Sequence, residues 1–301
     1  LEFMRANLGA RLIALRKPNG KLRPIACGSV LRRLAARTLC SSMREDIQRA
    51  CGKLQFAVGR KAGCEQVHKA VSALSCARPQ DVVLKFDCSN AFNTMPRQLI
   101  LDAVRARTPS LIRVVSAWLS QETKHYYWSD GGEGFPVPAT AGVDQGCPLS
   151  PALFAIGLAA SLETIQTKLA ELSPTCRVFS YLDDVMVVAP GLEAARAMKI
   201  VVDELERVGL TVNAGKTAAW TYDPQAPLPP EVEALRTSSC TVLGSTAPWL
   251  DPEGDFSRLD VHACTDGARV VQSAKDCVAK LAELRGAGLS AKAAFLILQS
   301  F

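Results

Sequence analysis

At 301 residues and 48% hydrophobic content the chain is long enough, and apolar enough, to bury a substantial core, which excludes wholesale disorder. No apolar run approaches the ~20 residues needed to span a bilayer, and Leu1-Glu2-Phe3-Met4-Arg5 lacks an apolar secretory core, so no membrane role is expected; the chain also lacks an initiator Met, which is in keeping with a fragment of a longer protein. The net charge of +6 is uneven: residues 1–69 hold fifteen Lys and Arg against four Asp and Glu, whereas the other 232 hold twenty against twenty-five. A basic segment ahead of an acidic one suits an enzyme that grips phosphates with one part and holds cations with the other, although a solvated basic face would show the same balance.

In chain order, residues 11–25 read as a hairpin turning at Pro18-Asn19-Gly20. Residues 29–39 place apolar side chains at 30, 31, 34, 35 and 39 with arginines between them, the pattern of an amphipathic helix with Ser29 as N-cap. Helical patterning returns over 65–74, and the run Asp81-Val82-Val83-Leu84-Lys85-Phe86 reads as a strand. Helices are expected over 96–105 and 110–119, and Gly131-Gly132-Glu133-Gly134 marks the turn of a further hairpin. Ser150 is expected to cap a helix with Pro151 in its first turn, and residues 192–208 form another that Gly209 closes. After a loop over 224–230 the pattern weakens, and residues 268–298, rich in Ala and Leu, read as helical.

Two strand-like runs end in acid. Val178-Phe179 and Val185-Met186-Val187-Val188 flank Tyr181-Leu182-Asp183-Asp184, which puts an acidic pair at a hairpin tip, and Asp87 follows the strand 81–86. An Asp-Asp surface turn would read alike on the first segment alone. Two such strands in one sheet would bring the carboxylates together, and hard oxygen ligands of this kind suit Mg²⁺. The eleven cysteines contain no Cys-x-x-Cys pair, and His68, His125 and His262 lack ligand spacing, so the thiols are read as reduced, small buried residues of an intracellular protein. Gly215-Lys216-Thr217 looks like the end of a phosphate-binding loop, but five residues separate Gly209 from Gly215 where that motif needs four, and the order is helix, glycine, strand. The ATPase reading is rejected.

Several segments in one order resemble the fingers and palm of a reverse transcriptase, and of the non-LTR (LINE-type) retrotransposon branch in particular. Leu15-Arg16-Lys17-Pro18-Asn19-Gly20-Lys21-Leu22-Arg23-Pro24-Ile25 resembles the basic fingers hairpin, and Phe86-Asp87 through Ala91-Phe92 the first palm motif. Gly142-Val143-Asp144-Gln145-Gly146-Cys147-Pro148-Leu149-Ser150-Pro151 resembles the second, and Tyr181 to Asp184 the catalytic hairpin. Val212-Asn213-Ala214-Gly215-Lys216-Thr217 and Val242-Leu243-Gly244 resemble the two motifs that follow. Leu182 departs from the Ala common before the acidic pair in that branch, which leaves intron-type and retron-type enzymes open as subgroups.

The resemblance implies an α/β (α+β) fold with an antiparallel palm sheet backed by helices: residues 1–80 as fingers, 81–250 as palm with some fingers insertions, and 251–301 as the start of a helical thumb. It implies two metal ions, Mg²⁺ with Mn²⁺ as a substitute, held by Asp87, Asp183 and Asp184. The expected partners are an RNA template, a DNA primer, dNTPs and further domains of the same polyprotein, at an intracellular location that would be nucleus and cytoplasm for a eukaryotic element. Lys17 and Arg23 would hold the triphosphate, Gln145 and Gly146 would approach the nucleotide, and Lys216 would protonate the departing pyrophosphate. Phe92 would exclude a 2′-hydroxyl, although by itself it reads as a core Phe, and Tyr181 would pack near the primer end or serve as an ordinary strand aromatic. Leu243 and Gly244 would form the primer grip. Two rivals remain: an RNA-dependent RNA polymerase, which usually places Gly before the acidic pair and a small polar residue in the sugar-selecting region, and a noncatalytic, domesticated RNA-binding remnant.

Overall fold

Strand formation at residues 81–86 follows from a largely apolar run, with β-branched Val82 and Val83, that needs cover on both faces. A computed structural model of the chain describes residues 8–16, 20, 22–129, 131–243 and the backbone of 245–246. It divides the chain into two compact units, Leu1–Leu243 and Gly244–Phe301, and the expected helical thumb lies outside the described residues.

The basic amino-terminal part opens with β1 (Ala10–Arg16) and β2 (Leu22–Gly28), an antiparallel pair in which Ile13 faces Ile25 across the ladder. Helix α1 (Val30–Ser42) follows, capped as its sequence requires: the Ser29 hydroxyl accepts the Arg32 N–H at 3.2 Å. The amino-terminal part of its apolar stripe does not face the core, although Leu39 packs against it. Val30, Leu31 and Leu34 are 66%, 60% and 56% exposed, and within the helix Ala36 is the buried residue. Next come α2 (Arg44–Ala50) and α3 (Gly63–Ala77).

Strand β3 (Asp81–Phe86) is central to a four-stranded antiparallel sheet of order β6-β7-β3-β8, where β6 is Arg177–Tyr181, β7 is Asp184–Pro190 and β8 is Ala218–Thr221. Val83, Leu84 and Phe86 are at most 1% exposed, each contributing about 1.5–3 kcal/mol by leaving water. Helix α4 (Ala91–Thr94) turns the chain after β3, and α5 (Arg97–Arg107) and α6 (Ile112–Leu119) follow. The hairpin of β4 (Thr123–Trp128) and β5 (Gly134–Ala139) leaves the central sheet and adds to the first one, with β4 parallel to β1.

Helix α7 (Ser150–Leu172) is buried at every position from Ala152 to Ala159, and a helix apolar all round belongs inside a core. Leu149 rather than Ser150 occupies its N-cap, and Ser150 makes no capping bond there. Ser150 instead donates its N–H to the Cys147 carbonyl at 3.1 Å, because the tight turn at Cys147 moves the start of the helix one residue upstream. Helix α8 (Ala194–Arg207) ends as expected: Gly209 has φ +78°, and Gly209 and Leu210 donate back to Glu206 and Leu205. Among the described residues no helix is long and apolar enough to cross a membrane.

Candidate active site

The register of the central sheet creates the site. Phe86 pairs with Val185 and Tyr181 with Asp184, so the end of β3 lies beside the β6–β7 turn. Asp87 and the Asp183-Asp184 pair, almost a hundred residues apart in sequence, therefore meet at one edge of the sheet. Asp87 and Asp183 line a cavity of about 520 Å³, together with Arg23, Phe92, Gln145 and Lys216. Leu22, Pro24, Ser89, Asn90 and Asn213 complete much of its wall.

Negative charge at this edge is undercompensated. Burial pushes the Asp183 carboxyl above the ordinary range; a backbone hydrogen bond of its own opposes this, Asp184 and Asp87 add to it, and Arg23 counters in part. Asp184 is also raised, by burial first and by Asp87, against the pull of Lys85 and Lys216. Cys88 is pushed up to about 12 by burial and by all three carboxylates. Lys216 donates to Asp87 Oδ2 at 2.9 Å. Among the described residues no three His, Cys, Asp or Glu side chains form a group ready to hold a metal ion. Oxygen donors, burial and mutual repulsion make the three carboxylates a suitable seat for divalent cations.

Hydrogen bonds to the loops hold the cavity's walls. Asn213 donates its N–H to the Asp87 carbonyl at 2.8 Å, and Ser89 donates to the Thr211 carbonyl at 2.8 Å, so the segment before Lys216 pins the chain that follows Asp87. Phe92 stacks on Phe154, with centroids 4.6 Å apart and planes 9° apart, while lining the cavity. It is thus both a core residue and a wall of the site. Gln145 Nε2 donates to Asn93 Oδ1 at 3.2 Å, and its carbonyl accepts the Ala26 N–H at 2.6 Å, tying β2 to this loop.

Some expected residues stand elsewhere. Gly146, at φ +120°, is required by strand β2: a Cβ there would meet the Ala26 carbonyl oxygen at 2.7 Å. Asp184 opens β7 beside the cavity, and neither it, Gly146 nor Leu243 lines the wall. Leu243 has φ +52°, in keeping with a tight turn, while Lys17, Lys21 and Gly244 lie outside the described residues. Tyr181 packs toward Gly63 and Cys64, and its phenol is pushed up to about 12, first by the hydrogen bond to Cys64 and then by burial.

Two features escaped sequence reasoning. Asp144 is buried and accepts from Arg32 Nη1 at 3.0 Å and from His125 Nε2 at 2.8 Å, while His125 Nδ1 accepts the Ala10 N–H at 3.1 Å. Arg32, with its side chain 9% exposed and its guanidinium 5.3 Å from the Trp118 ring, is structural and is not a free cation of the basic face. The second feature is a groove of about 450 Å³ lined by Arg44, Glu45, Gln48, Arg60 and Lys61, with more basic than acidic side chains. It adjoins a smaller depression walled by Pro148, on the loop that offers Gln145 to the cavity, and by Pro151 in the first turn of α7. Arg60 donates to the Gln55 and Lys53 carbonyls, and among the described residues Arg44, Arg60 and Lys61 make no ion pair. The charges of Arg44 and Lys61 are available, whereas the Arg60 guanidinium is engaged by those carbonyls and by the Phe56 ring, 4.5 Å away.

A family model described as Reverse transcriptase (RNA-dependent DNA polymerase) matches residues 15–247. The Retrotransposable element SLACS 132 kDa protein of Trypanosoma brucei gambiense is 31% identical over 224 residues, covering 72% of this chain and 18% of that protein. The RNA-directed DNA polymerase from mobile element jockey of Drosophila melanogaster is 27% identical over 226 residues, covering 71% of this chain and 23% of that one. The chain thus spans about a fifth of the length of these relatives. Apo telomerase from Candida tropicalis, truncated from its C-terminal domain, shares the fold at a TM-score of 0.59 and 13% identity, over 81% of this chain and 54% of that one. Telomerase from Candida albicans, in complex with the TWJ fragment of telomeric RNA, does so at 0.57 and 14%, over 82% and 45%.

Proposed function

The chain belongs to the reverse transcriptase (RNA-dependent DNA polymerase) family, and we propose that it is the catalytic core of a non-LTR retroelement polymerase that copies an RNA template by extending a DNA primer with dNTPs. The observation that carries this reading is the meeting of Asp87 and Asp183 on one cavity that Arg23, Phe92, Gln145 and Lys216 also line.

The family works with divalent metal ions, and Asp87, Asp183 and Asp184 are the residues that would hold them, as Mg²⁺. When bound, such ions make the primer 3′-hydroxyl a better nucleophile and neutralise the pyrophosphate that leaves. The chain's own groups do the rest. Arg23, whose charge reaches Asp183, offers a planar fork to the triphosphate. Gln145, braced by Asn93, can hydrogen-bond around the sugar. Lys216, whose ammonium lies 2.9 Å from Asp87 Oδ2 on the cavity wall, is the group placed to donate a proton to the leaving phosphate.

Phe92 separates DNA from RNA synthesis. Its ring is fixed against Phe154, and a 2′-hydroxyl pressed on an immobile aromatic would lose hydration without gaining a partner. Phe92→Ala is expected to raise ribonucleotide use relative to deoxynucleotide use by more than tenfold, or ~1.4 kcal/mol. Single-nucleotide extension on an RNA template, comparing kcat/KM for each sugar, makes the measurement. Wild-type extension with ribonucleotides alone would replace this reading with RNA synthesis, and no extension by any nucleotide would favour a noncatalytic RNA-binding role.

The groove of Arg44, Arg60 and Lys61 suits the template's phosphate backbone. Removing the charge of Arg44 and Lys61 together should weaken primer–template binding at all sequences alike and flatten the plot of log affinity against log salt by roughly two phosphate contacts, each worth ~0.7–0.9 in slope. An unchanged slope in filter binding would return both residues to the solvated surface.

A further inference from the structure

Gln55 lies in no motif that the chemistry uses, yet it reaches the catalytic hairpin from 127 residues away. Residues Leu54 to Phe56 run beside β6: Ser180 donates its N–H to the Leu54 carbonyl at 2.9 Å, and Phe56 donates to the Ser180 carbonyl at 2.8 Å. From this rung the Gln55 side chain, in a residue 1% exposed, turns toward the tip of the hairpin. Its Oε1 accepts the Leu182 N–H at 2.9 Å and the Ala57 N–H at 3.1 Å. Its Nε2 donates to the Ser180 hydroxyl at 3.1 Å, and that hydroxyl donates to the Leu182 carbonyl at 2.9 Å. Both backbone polar groups of Leu182 are therefore held by a chain of bonds that ends on one amide.

Leu182 needs such restraint. Its φ is +56°, in the left-handed region that residues bearing a Cβ seldom adopt, and it immediately precedes Asp183. If Leu182 relaxed to a negative φ, the peptide that carries Asp183 would rotate with it. The choice of side chain also fits. A carboxylate in place of the amide would accept the same N–H groups, but it would add negative charge beside Asp183 and Asp184, which already repel each other. An apolar side chain of the same size would fill the space and leave the turn unheld. A buried amide with all three of these bonds made does both jobs without charge.

We propose that Gln55 is a positioning residue that keeps the Leu182 turn left-handed and so sets the direction of the Asp183 carboxylate, an inference that rests on the polymerase reading for its functional consequence. The test is Gln55→Met, which keeps the volume and removes the bonds, read in two ways. In the metal-free protein, hydrogen exchange at amides 180–184 should quicken at least tenfold while α7 stays protected. In primer extension, kcat should fall about tenfold, with KM for dNTP and for primer–template within twofold. Adding Leu182→Gly to Gln55→Met should restore at least threefold of the lost kcat, because glycine holds a positive φ without a clamp.

Unchanged exchange at 180–184 overturns the proposal. So does a kcat loss that Leu182→Gly fails to relieve, which would mark Gln55 as a packing residue. Should Gln55→Met not fold, Ser180→Ala breaks the Ser180 relay alone and is expected to show the same exchange signature at smaller amplitude; its absence is equally decisive. If the wild-type chain extends no primer, the polymerase reading fails, while the exchange measurement still decides whether the clamp exists.

Discussion

Asp183→Asn is expected to reduce primer extension by at least about a thousandfold, ~4 kcal/mol of transition-state stabilisation, while leaving primer–template affinity within a few fold. The amide keeps the shape of the carboxylate and loses the charge that would bind cations. A second readout does not involve catalysis. The folded carboxyls of Asp183 and Asp184 lie above their ordinary range, Asp183 through burial and then its neighbours Asp184 and Asp87, and Asp184 through burial and Asp87. Between the ordinary Asp value of 3.8 and the raised one, the folded chain binds protons that the unfolded chain does not.

The sign follows by linkage: this edge of the sheet destabilises the metal-free fold at neutral pH, and the penalty is relieved as pH falls through the raised value. Asp183→Asn should therefore raise the neutral-pH stability of the metal-free protein by about 1 kcal/mol, the common gain when a site's strain is released, and flatten this part of its pH dependence. Mg²⁺ at 100 times its Kd should stabilise the wild-type chain by about 2.7 kcal/mol and the variant much less. Thermal melts with and without Mg²⁺, beside single-turnover extension, decide the matter. Extension within tenfold of wild type, or an equal Mg²⁺ shift in both proteins, would overturn the metal assignment.

Asp144→Ala should destabilise the fold by about 3 kcal/mol, within the ~3–5 kcal/mol lost when one partner of a buried pair is removed. For a domain of this size that is a drop of roughly 10 °C in Tm. The variant leaves the Arg32 guanidinium, 9% exposed, without its carboxylate, and leaves His125 Nε2 without an acceptor. Adding Arg32→Met should recover a good part of the loss, because the uncompensated charge goes with it. The pair also has a pH signature. Burial alone would raise the Asp144 carboxyl, but the His125 hydrogen bond and the charges of Arg32 and Arg97 hold it below its ordinary value.

Stability from a depressed carboxyl is complete above the ordinary Asp range and is lost as pH falls through the lower folded value. The wild-type chain should lose this contribution in acid, below about pH 4, and Asp144→Ala should not. Chemical denaturation across that range gives both the magnitude and the slope. A loss under 1 kcal/mol, or parallel pH curves, would show that the cluster is incidental. Because Asp144 precedes Gln145, whose carbonyl receives the Ala26 N–H, a raised KM for dNTP should accompany the loss of stability.

What the sequence by itself determined is what neighbouring residues decide among themselves. The apolar, valine-containing runs at 81–86 and 185–188 are strands because their side chains pack on a pleated surface, and Asp87 and Asp183 lie at their ends, where turns begin. The Ser29 cap and the Gly209 stop were legible because each satisfies its own helix terminus within a few residues. Arg23, Gln145 and Lys216 were legible because their segments follow one another in a recognisable order, and the cavity brings them together.

Tertiary structure decided whatever depends on a partner distant in sequence. Periodicity marked an apolar stripe on α1 but could not say that Val30, Leu31 and Leu34 would face outward, since a pattern records a face and not what meets it. Arg32 looked like one more cation of a basic helix until Asp144, 112 positions on, claimed it. Gly146 yields to the Ala26 backbone, a neighbour that no spacing rule could supply. Gln55 is the clearest case, because a buried amide gives no local signal: its three bonds become visible only when the fold sets residue 55 beside the turn at Leu182. Local propensity thus chose the elements and the chemistry they carry, while burial and the need to satisfy every buried polar group chose which of those residues hold the others in place.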